Sequence, residues 1–318
     1  MIKVFLKELS TKKEATRVEK IACNRLKKTW KRELRKTSFT LFLALQLSLQ
    51  GSMVSSVYAS ASSSSSDLGP AERMKQLREA IRTTLAQVKW LPLGSISPAK
   101  NWQELGHGAF GTVYKGKLGE RSVALKSVNF EQVQRNFKLD DGGMLEILQW
   151  EIACLSMVNH PNLVQFCGIY ETQEAIYLVT ECCEKGNLLN ILKESKPVSW
   201  ASRWKWALES AKGLAALHHQ GLLHRDLKSD NILVDQNNRA CLTDLGVAQI
   251  DTLLRSEQAE LVARGSQSKR FKSPEGILHW TKSTKKSDVY AFGLVLWQIT
   301  THGGQGHLMK KMDNNLVK

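Results

Sequence analysis

The sequence predicts an α+β fold, and three observations carry that reading. The glycine-rich run Gly106–Leu118 (GHGAFGTVYKGKL) passes directly into Thr112-Val113-Tyr114, so it reads as a β-hairpin with glycines at its tip. Ser122–Val128 (SVALKSV) alternates like a second strand, and helical periodicity follows in MLEILQWEIACLSMVNHPNLV, with Leu145, Leu148, Ile152 and Leu155 on one face. Near the end, Ser287–Thr301 is a helix that is apolar almost all round.

Composition sets the outer bounds. The 318 residues are 42% hydrophobic and 24% charged, enough for one large domain or two small ones. The net charge of +15 is uneven: residues 1–36 hold 13 Lys/Arg against 4 Glu, which is +9, and the other 282 residues carry +6. The basic signal belongs to a leader, so no nucleic-acid partner is expected. None of the six cysteines forms a C-x-x-C pair, and most have apolar neighbours, which reads as buried free thiols in a reducing compartment.

The leader continues into an apolar run, Phe39–Leu49, and then small residues with Ala-Ser-Ala at 59–61. A secretory signal fits this order, although its basic part is long. An uncleaved anchor, an organelle-type leader and a plain amphipathic helix are the other readings. A signal or anchor implies a secreted or membrane-anchored protein with membrane contact through the leader; the alternative is cytoplasmic. SSSSSD (62–67) is a flexible linker. Gly69–Trp90 reads as an amphipathic helix through Met74, Leu77, Ile81, Leu85 and Val88. Pro92, Gly94 and Pro98 end it. The expected organisation is therefore residues 1–66 as leader and linker, 67–94 as helix and linker, and 95–318 as the main domain.

Three stretches carry chemistry. A G-x-G-x-x-G at Gly106, Gly108 and Gly111 is weak evidence alone, but a hairpin tip without side chains can offer backbone N–H groups to phosphates. Lys126 is either a solvated strand lysine or a point cation aimed at phosphates, and Glu151, beside the apolar face of the following helix, could hold it. HRDLKSDNILV, His224–Val234, crowds an acid, a lysine and an amide into six residues at Asp226, Lys228 and Asn231.

Taken in order, GHGAFGTV, VALK, the helix glutamate, HRDLKSDN and Asp244-Leu245-Gly246 resemble a eukaryotic-type protein kinase over roughly residues 98–305. HPNLVQFCGIY, IYLVTECCEKGNLLNIL and KSDVYAFGLVLWQITT place the resemblance closest to the tyrosine-kinase-like and tyrosine kinase branches. The resemblance implies a bilobal fold with a β-rich N-lobe and an α-helical C-lobe, and ATP and Mg²⁺ as cofactors. It implies that Gly106, Gly108 and Gly111 cover ATP, and that Lys126 contacts the α- and β-phosphates while paired with Glu151. Val113, Ala124 and Leu233 would sandwich adenine. Thr180 would be the gatekeeper, and the backbones of Glu181 and Cys183 would hold the adenine edge. Asp226 would accept the substrate hydroxyl's proton, Lys228 would neutralise the γ-phosphate, and Asn231 and Asp244 would hold Mg²⁺.

Leu245 would plug against Leu155, Phe166 and His224. Lys228 two residues after the acid, and a segment from Asp244 to Glu275 without tyrosine, favour Ser/Thr over Tyr as the acceptor on protein substrates. Thr252, Ser256, Ser266 and Ser268 are candidate phosphorylation positions, and the resemblance implies Arg225 as the docking point for an activating phosphate. The pattern departs from the family at its end: Ser273-Pro274-Glu275 replaces Ala-Pro-Glu, and THGGQGHLMKKMDNNLVK resembles none of the family's last helices. The expectation is a C-lobe lacking those helices, an exposed apolar face on Ser287–Thr301, and Glu275 without its buried partner. An active protein kinase is the leading expectation. A kinase-like ATP-binding scaffold without catalysis is the alternative, and a membrane-tethered interaction protein is the third.

Overall fold

Strand alternation sorts the N-terminal lobe into two apolar faces. The computed structural model describes residues 88–108, 111–128, 141–173, 175–194, 197–245, 249–250, 269–278 and 283–301, with helical positions between Lys75 and Thr83. Five strands form one antiparallel sheet in the order β1-β2-β3-β5-β4: β1 (Gln103–Gly108), β2 (Gly111–Leu118), β3 (Arg121–Val128), β4 (Phe166–Glu171) and β5 (Ile176–Glu181). Val123, Leu125, Tyr170, Tyr177 and Val179 bury one face together with Leu91 and Ile96. Ile169, Ile176 and Leu178 bury the other against α1 (Asp141–Met157), which contributes Leu148, Ile152 and Leu155. This is the period-two division expected of a sheet covered on both sides.

The second lobe is helical. α2 (Leu188–Lys193) starts on Asn187, whose side chain accepts from Asn190 N at 2.8 Å. α3 (Trp200–His219) starts on Ser199 in the same way. α4 (Pro274–Leu278) precedes α5 (Lys285–Thr300), which opens with a reciprocal capping box between Thr284 and Ser287. Two small sheets carry the loops: β6 (Gly186–Asn187), β8 (Ile232–Val234) and β9 (Ala240–Leu242) form one, and β7 (Leu222–Leu223) pairs β10 (Gln249–Ile250). The bilobal α+β arrangement is the expected one.

Two sequence expectations meet a different structure. The helix expected to run to Trp90 has ended before it: Leu91 N donates to Ile169 O (2.8 Å), Ile169 N donates to Lys89 O (2.9 Å), and Trp90 bridges Ile169 in parallel. Tertiary pairing with the edge of β4 outweighs the helical pattern there. On α5, Val289, Tyr290 and Trp297 are half-buried where an exposed apolar face was expected, and Phe292, Leu294, Val295, Leu296 and Ile299 are buried. The leader and linker 1–66, the hairpin tip Ala109–Phe110, the candidate phosphorylation positions Thr252, Ser256, Ser266 and Ser268, and residues 302–318 lie outside the described residues. Among the described residues, no helix is long and apolar enough to cross a membrane.

Candidate active site

The cleft between the lobes collects the polar positions. Register places Val113 opposite Lys126 and Ala124 opposite Thr180, so these four side chains share the sheet face that carries α1. The hairpin closes with Gly108 opposite Gly111. Gly111 has φ +147°, and a Cβ there would stand 2.1 Å from Ser127 O, so only glycine fits. Ser127 ties down the base of this loop: its hydroxyl accepts from Thr112 N and donates to Thr112 O, each at 2.9 Å.

Lys126 Nζ donates to Glu151 Oε1 at 2.6 Å, which fixes β3 against α1. Asp244 Oδ1 lies 3.8 Å from the same ammonium. Burial pulls the Lys126 pKa down, but the two carboxylates outweigh it and hold it above the ordinary lysine value. Of the two readings of this strand lysine, solvated or paired, the geometry has the paired one.

The loop between β7 and β8 is tied from inside. Lys228 Nζ donates to Asp226 Oδ2 at 2.7 Å. Asn231 Nδ2 donates to the same oxygen at 3.0 Å and to Asp226 O at 2.8 Å. Thr243 N donates to Asn231 O at 3.0 Å, which seats Asp244 beside Asn231. Arg225 and Asp244 both have positive φ, +66° and +62°, so the backbone on either side of the cleft holds left-handed conformations uncommon for such residues.

Behind the loop, Asp288 of α5 is 2% exposed and takes three hydrogen bonds: from His218 Nε2 (2.7 Å), His224 N (2.8 Å) and Arg225 N (2.9 Å). Burial alone would raise its pKa; His218, His224 and the Arg225 amide hold it below the usual carboxylate value. Ser229 Oγ donates to Gln298 Oε1 at 2.6 Å, a second tie from loop to α5. Leu245 is buried in the same apolar cluster as Leu155, with Phe166 packed against it.

The segment joining the lobes carries the remaining positions. Glu181 faces away from the cleft: its carboxylate accepts from Gln165 N (3.0 Å) and Arg239 (2.8 Å), and its N–H donates to Gln165 O (2.9 Å), leaving its backbone carbonyl as the part that can address a ligand. Cys183 O accepts from Gly186 N at 3.1 Å, so the turn that follows consumes one of that carbonyl's two acceptor positions. Leu233 packs on Val164, Cys183 and Cys241 across the floor of the cleft. A hydrogen bond with Cys241 and burial push the Cys183 thiol far up.

Sequence reading missed three of these supports. Ser127, His218 and Gln298 carry no motif of their own; their roles exist only through partners 15, 70 and 69 residues away. Glu275, expected to lack its buried partner, is exposed and accepts from Ser287 Oγ at 3.0 Å, inside the capping box of α5.

Comparison with known proteins agrees with this geometry. The protein kinase domain family matches residues 99–314, starting one residue inside the expected stretch and running past its expected end. The dual specificity protein kinase shkC of Dictyostelium discoideum is 33% identical over 205 residues, covering 63% of this chain and 38% of that protein. The serine/threonine/tyrosine-protein kinase HT1 of Arabidopsis thaliana is 34% identical over 199 residues (61% of this chain, 48% of that protein). The probable serine/threonine-protein kinase PBL4 of the same plant is 35% identical over 200 residues, with the same coverage of 61% and 48%. The chain spans about half or less of the length of these relatives. On the extent of the family match, and on the order in which its motifs enter one cleft, the chain belongs to the protein kinase domain family.

Proposed function

We propose that this protein transfers the γ-phosphoryl group of ATP to hydroxyls of protein substrates, Ser/Thr in preference to Tyr. The observation that carries the reading is the convergence of two charge sets on one cleft: Lys126 and Glu151 from the sheet lobe, and Asp226, Lys228, Asn231 and Asp244 from the helical lobe, joined where Asp244 comes within 3.8 Å of Lys126. Phosphoryl transfer asks mainly for positioning and charge neutralisation, which is what these groups offer. Lys126, held by Glu151, meets the α- and β-phosphates. Gly106, Gly108 and Gly111 bring backbone close to the phosphates, and Val113, Ala124 and Leu233 enclose the adenine beside Thr180. The backbones of Glu181 and Cys183 address its edge. Asp226 orients the acceptor hydroxyl and takes its proton, while Lys228, on the same carboxylate, neutralises the group in transit.

The residues fit Mg²⁺. Asn231 spends its Nδ2 on Asp226, which leaves the amide oxygen as its atom for a cation, and the Asp244 carboxylate supplies a second hard oxygen. Among the described residues no three His, Cys, Asp or Glu side chains gather as a metal cage. Mg²⁺ commonly takes one or two protein oxygens and completes its shell with phosphates and water. When bound there it would neutralise phosphate charge.

The Ser/Thr preference rests on Lys228 contacting Asp226, and the name of PBL4, a probable serine/threonine-protein kinase, supports it. The test is radiolabelled transfer from ATP by the full chain beside Asp226→Asn. Loss of the base lowers the rate by about 10²–10⁴-fold; equal rates in the two proteins would remove the proposal. For the leader, we infer export or membrane anchoring from its basic and apolar order alone. A reporter fused to residues 1–66 tests this, and retention in the cytosol refutes it.

A further inference from the structure

We propose that Arg78, Ile81, Arg82 and Lys89–Leu91 form a brace that holds α1 in place, and that Ile81 and Arg82 are positioning residues for the Lys126–Glu151 pair. The inference rests on the phosphoryl-transfer reading above and adds a determinant outside the cleft.

Three observations converge. Ile81 is 0% exposed and belongs to the large apolar cluster that takes in Leu148, Ile152, Ile169, Ile176 and Leu178 and continues into the helical lobe, not to the cluster on the opposite face of the sheet. It therefore sits on the side of the sheet that α1 covers, and α1 carries Glu151. Second, the helical positions are locked to the end of the sheet. Arg78 donates to Thr172 O (2.9 Å) and Gln173 O (2.8 Å), and Arg82 pairs with Glu171 at 2.6 Å. Third, the chain then runs along β4: Lys89 and Leu91 exchange backbone hydrogen bonds with Ile169, and a Cβ on Gly168 would stand 2.6 Å from Lys89 O.

The division of labour follows from exposure. Arg82 is mostly in solvent, so its ion pair contributes little affinity and mainly fixes orientation. Ile81 is fully buried, so apolar contact supplies the holding force. Arg82 also lies 5.7 Å over the Trp90 ring, which joins the helical part of the brace to its extended part. The polar contacts set where Ile81 enters, and Ile81 fills the cluster that α1 shares. Withdrawing it leaves α1 without one wall, and Glu151 moves with α1.

Hydrogen exchange by mass spectrometry on the full chain, with and without Ile81→Asp, tests this without needing turnover. The expected result is faster exchange in α1 with α3 unchanged, and restored protection in Ile81→Leu. Ile81→Ala reads the same effect if Ile81→Asp does not fold. A transfer assay completes the cycle: Ile81→Asp lowers the rate severalfold, but causes no further loss in a Glu151→Gln background, because both act through one pair. Unchanged α1 exchange, equal acceleration in α1 and α3, or additive losses would each overturn the brace. A wild-type chain without transfer activity would instead overturn the function proposal, and the exchange result would still stand.

Discussion

At Asp288 one carboxylate, enclosed by α5, orders the backbone of the loop that carries Asp226. Burial opposes its charge, yet three hydrogen bonds hold its pKa below the ordinary value near about 3.9. A depressed acid contributes stability that is complete above the unfolded pKa and is lost as pH falls through the folded pKa. Asp288→Asn removes the charge and presents an amide N–H group where only acceptors are wanted. The expected loss is about 2–3 kcal/mol at neutral pH, the range for hydrogen bonds to a charged group. In urea denaturation at stepped pH, the gap from wild type should be widest near neutrality and narrow below about pH 4. A gap independent of pH would show that the Asp288 charge is not what stabilises the loop. Asp288 was legible through the family resemblance of KSDVYAFG, which implies an acid that braces the catalytic loop. His218, its buried partner, was not, because nothing local distinguishes it from His219.

Helix α3 poses a conflict between propensity and packing at the scale of an element. Gly213 lies inside it, where Ala would favour the helix by about 1 kcal/mol. A Cβ at Gly213, however, would stand 2.3 Å from Asn162 O, in the turn that leads into β4. Backbone cannot yield as a flexible side chain does, so the contact should win. Gly213→Ala is expected to lower the melting temperature despite its better propensity; a rise would mean that the turn relaxes freely. The same turn is pinned again by the helical lobe, since Asn162 Nδ2 donates to Ala240 O at 2.9 Å. Elements with a local signature were legible: the glycine hairpin, the alternating β3, the periodic α1 and the apolar α5. Elements shaped by distant partners were not. The helix expected to reach Trp90 ends early because β4 offers Lys89 and Leu91 an edge. Arg203 is likewise silent in sequence, yet it is 1% exposed and donates to Ile299 O at 2.5 Å, holding the C-terminal carbonyls of α5.

Across the whole molecule, charged contacts join the two lobes beside the apolar cluster they share, and a ligand in the cleft should report on both. Arg239, from the turn between β8 and β9, reaches Glu181 at 2.8 Å in the upper lobe, while holding Asp235 at 2.9 Å and Pro161 O at 2.7 Å. Burial lowers the Arg239 pKa, but Glu181 and Asp235 outweigh it and raise it above the ordinary arginine value. Nucleotide bound between Lys126 above and Asn231 and Leu233 below would add a second bridge. A ligand that binds only the folded state stabilises by about 2.7 kcal/mol at a hundred times its Kd. For a domain of this size that is about 5–10 °C in melting temperature. Mg-ATP should therefore shift the transition of the full chain by about that much, and chelation with EDTA should remove the part that depends on the metal. Asp244→Asn should keep the shift caused by ATP alone and lose most of the Mg²⁺ increment, because it removes the carboxylate charge that would hold the metal while leaving Lys126 paired with Glu151. If Asp244→Asn gains as much from Mg²⁺ as wild type, the metal is held elsewhere. If neither protein shifts with Mg-ATP, the cleft does not take nucleotide and the proposed chemistry fails with it.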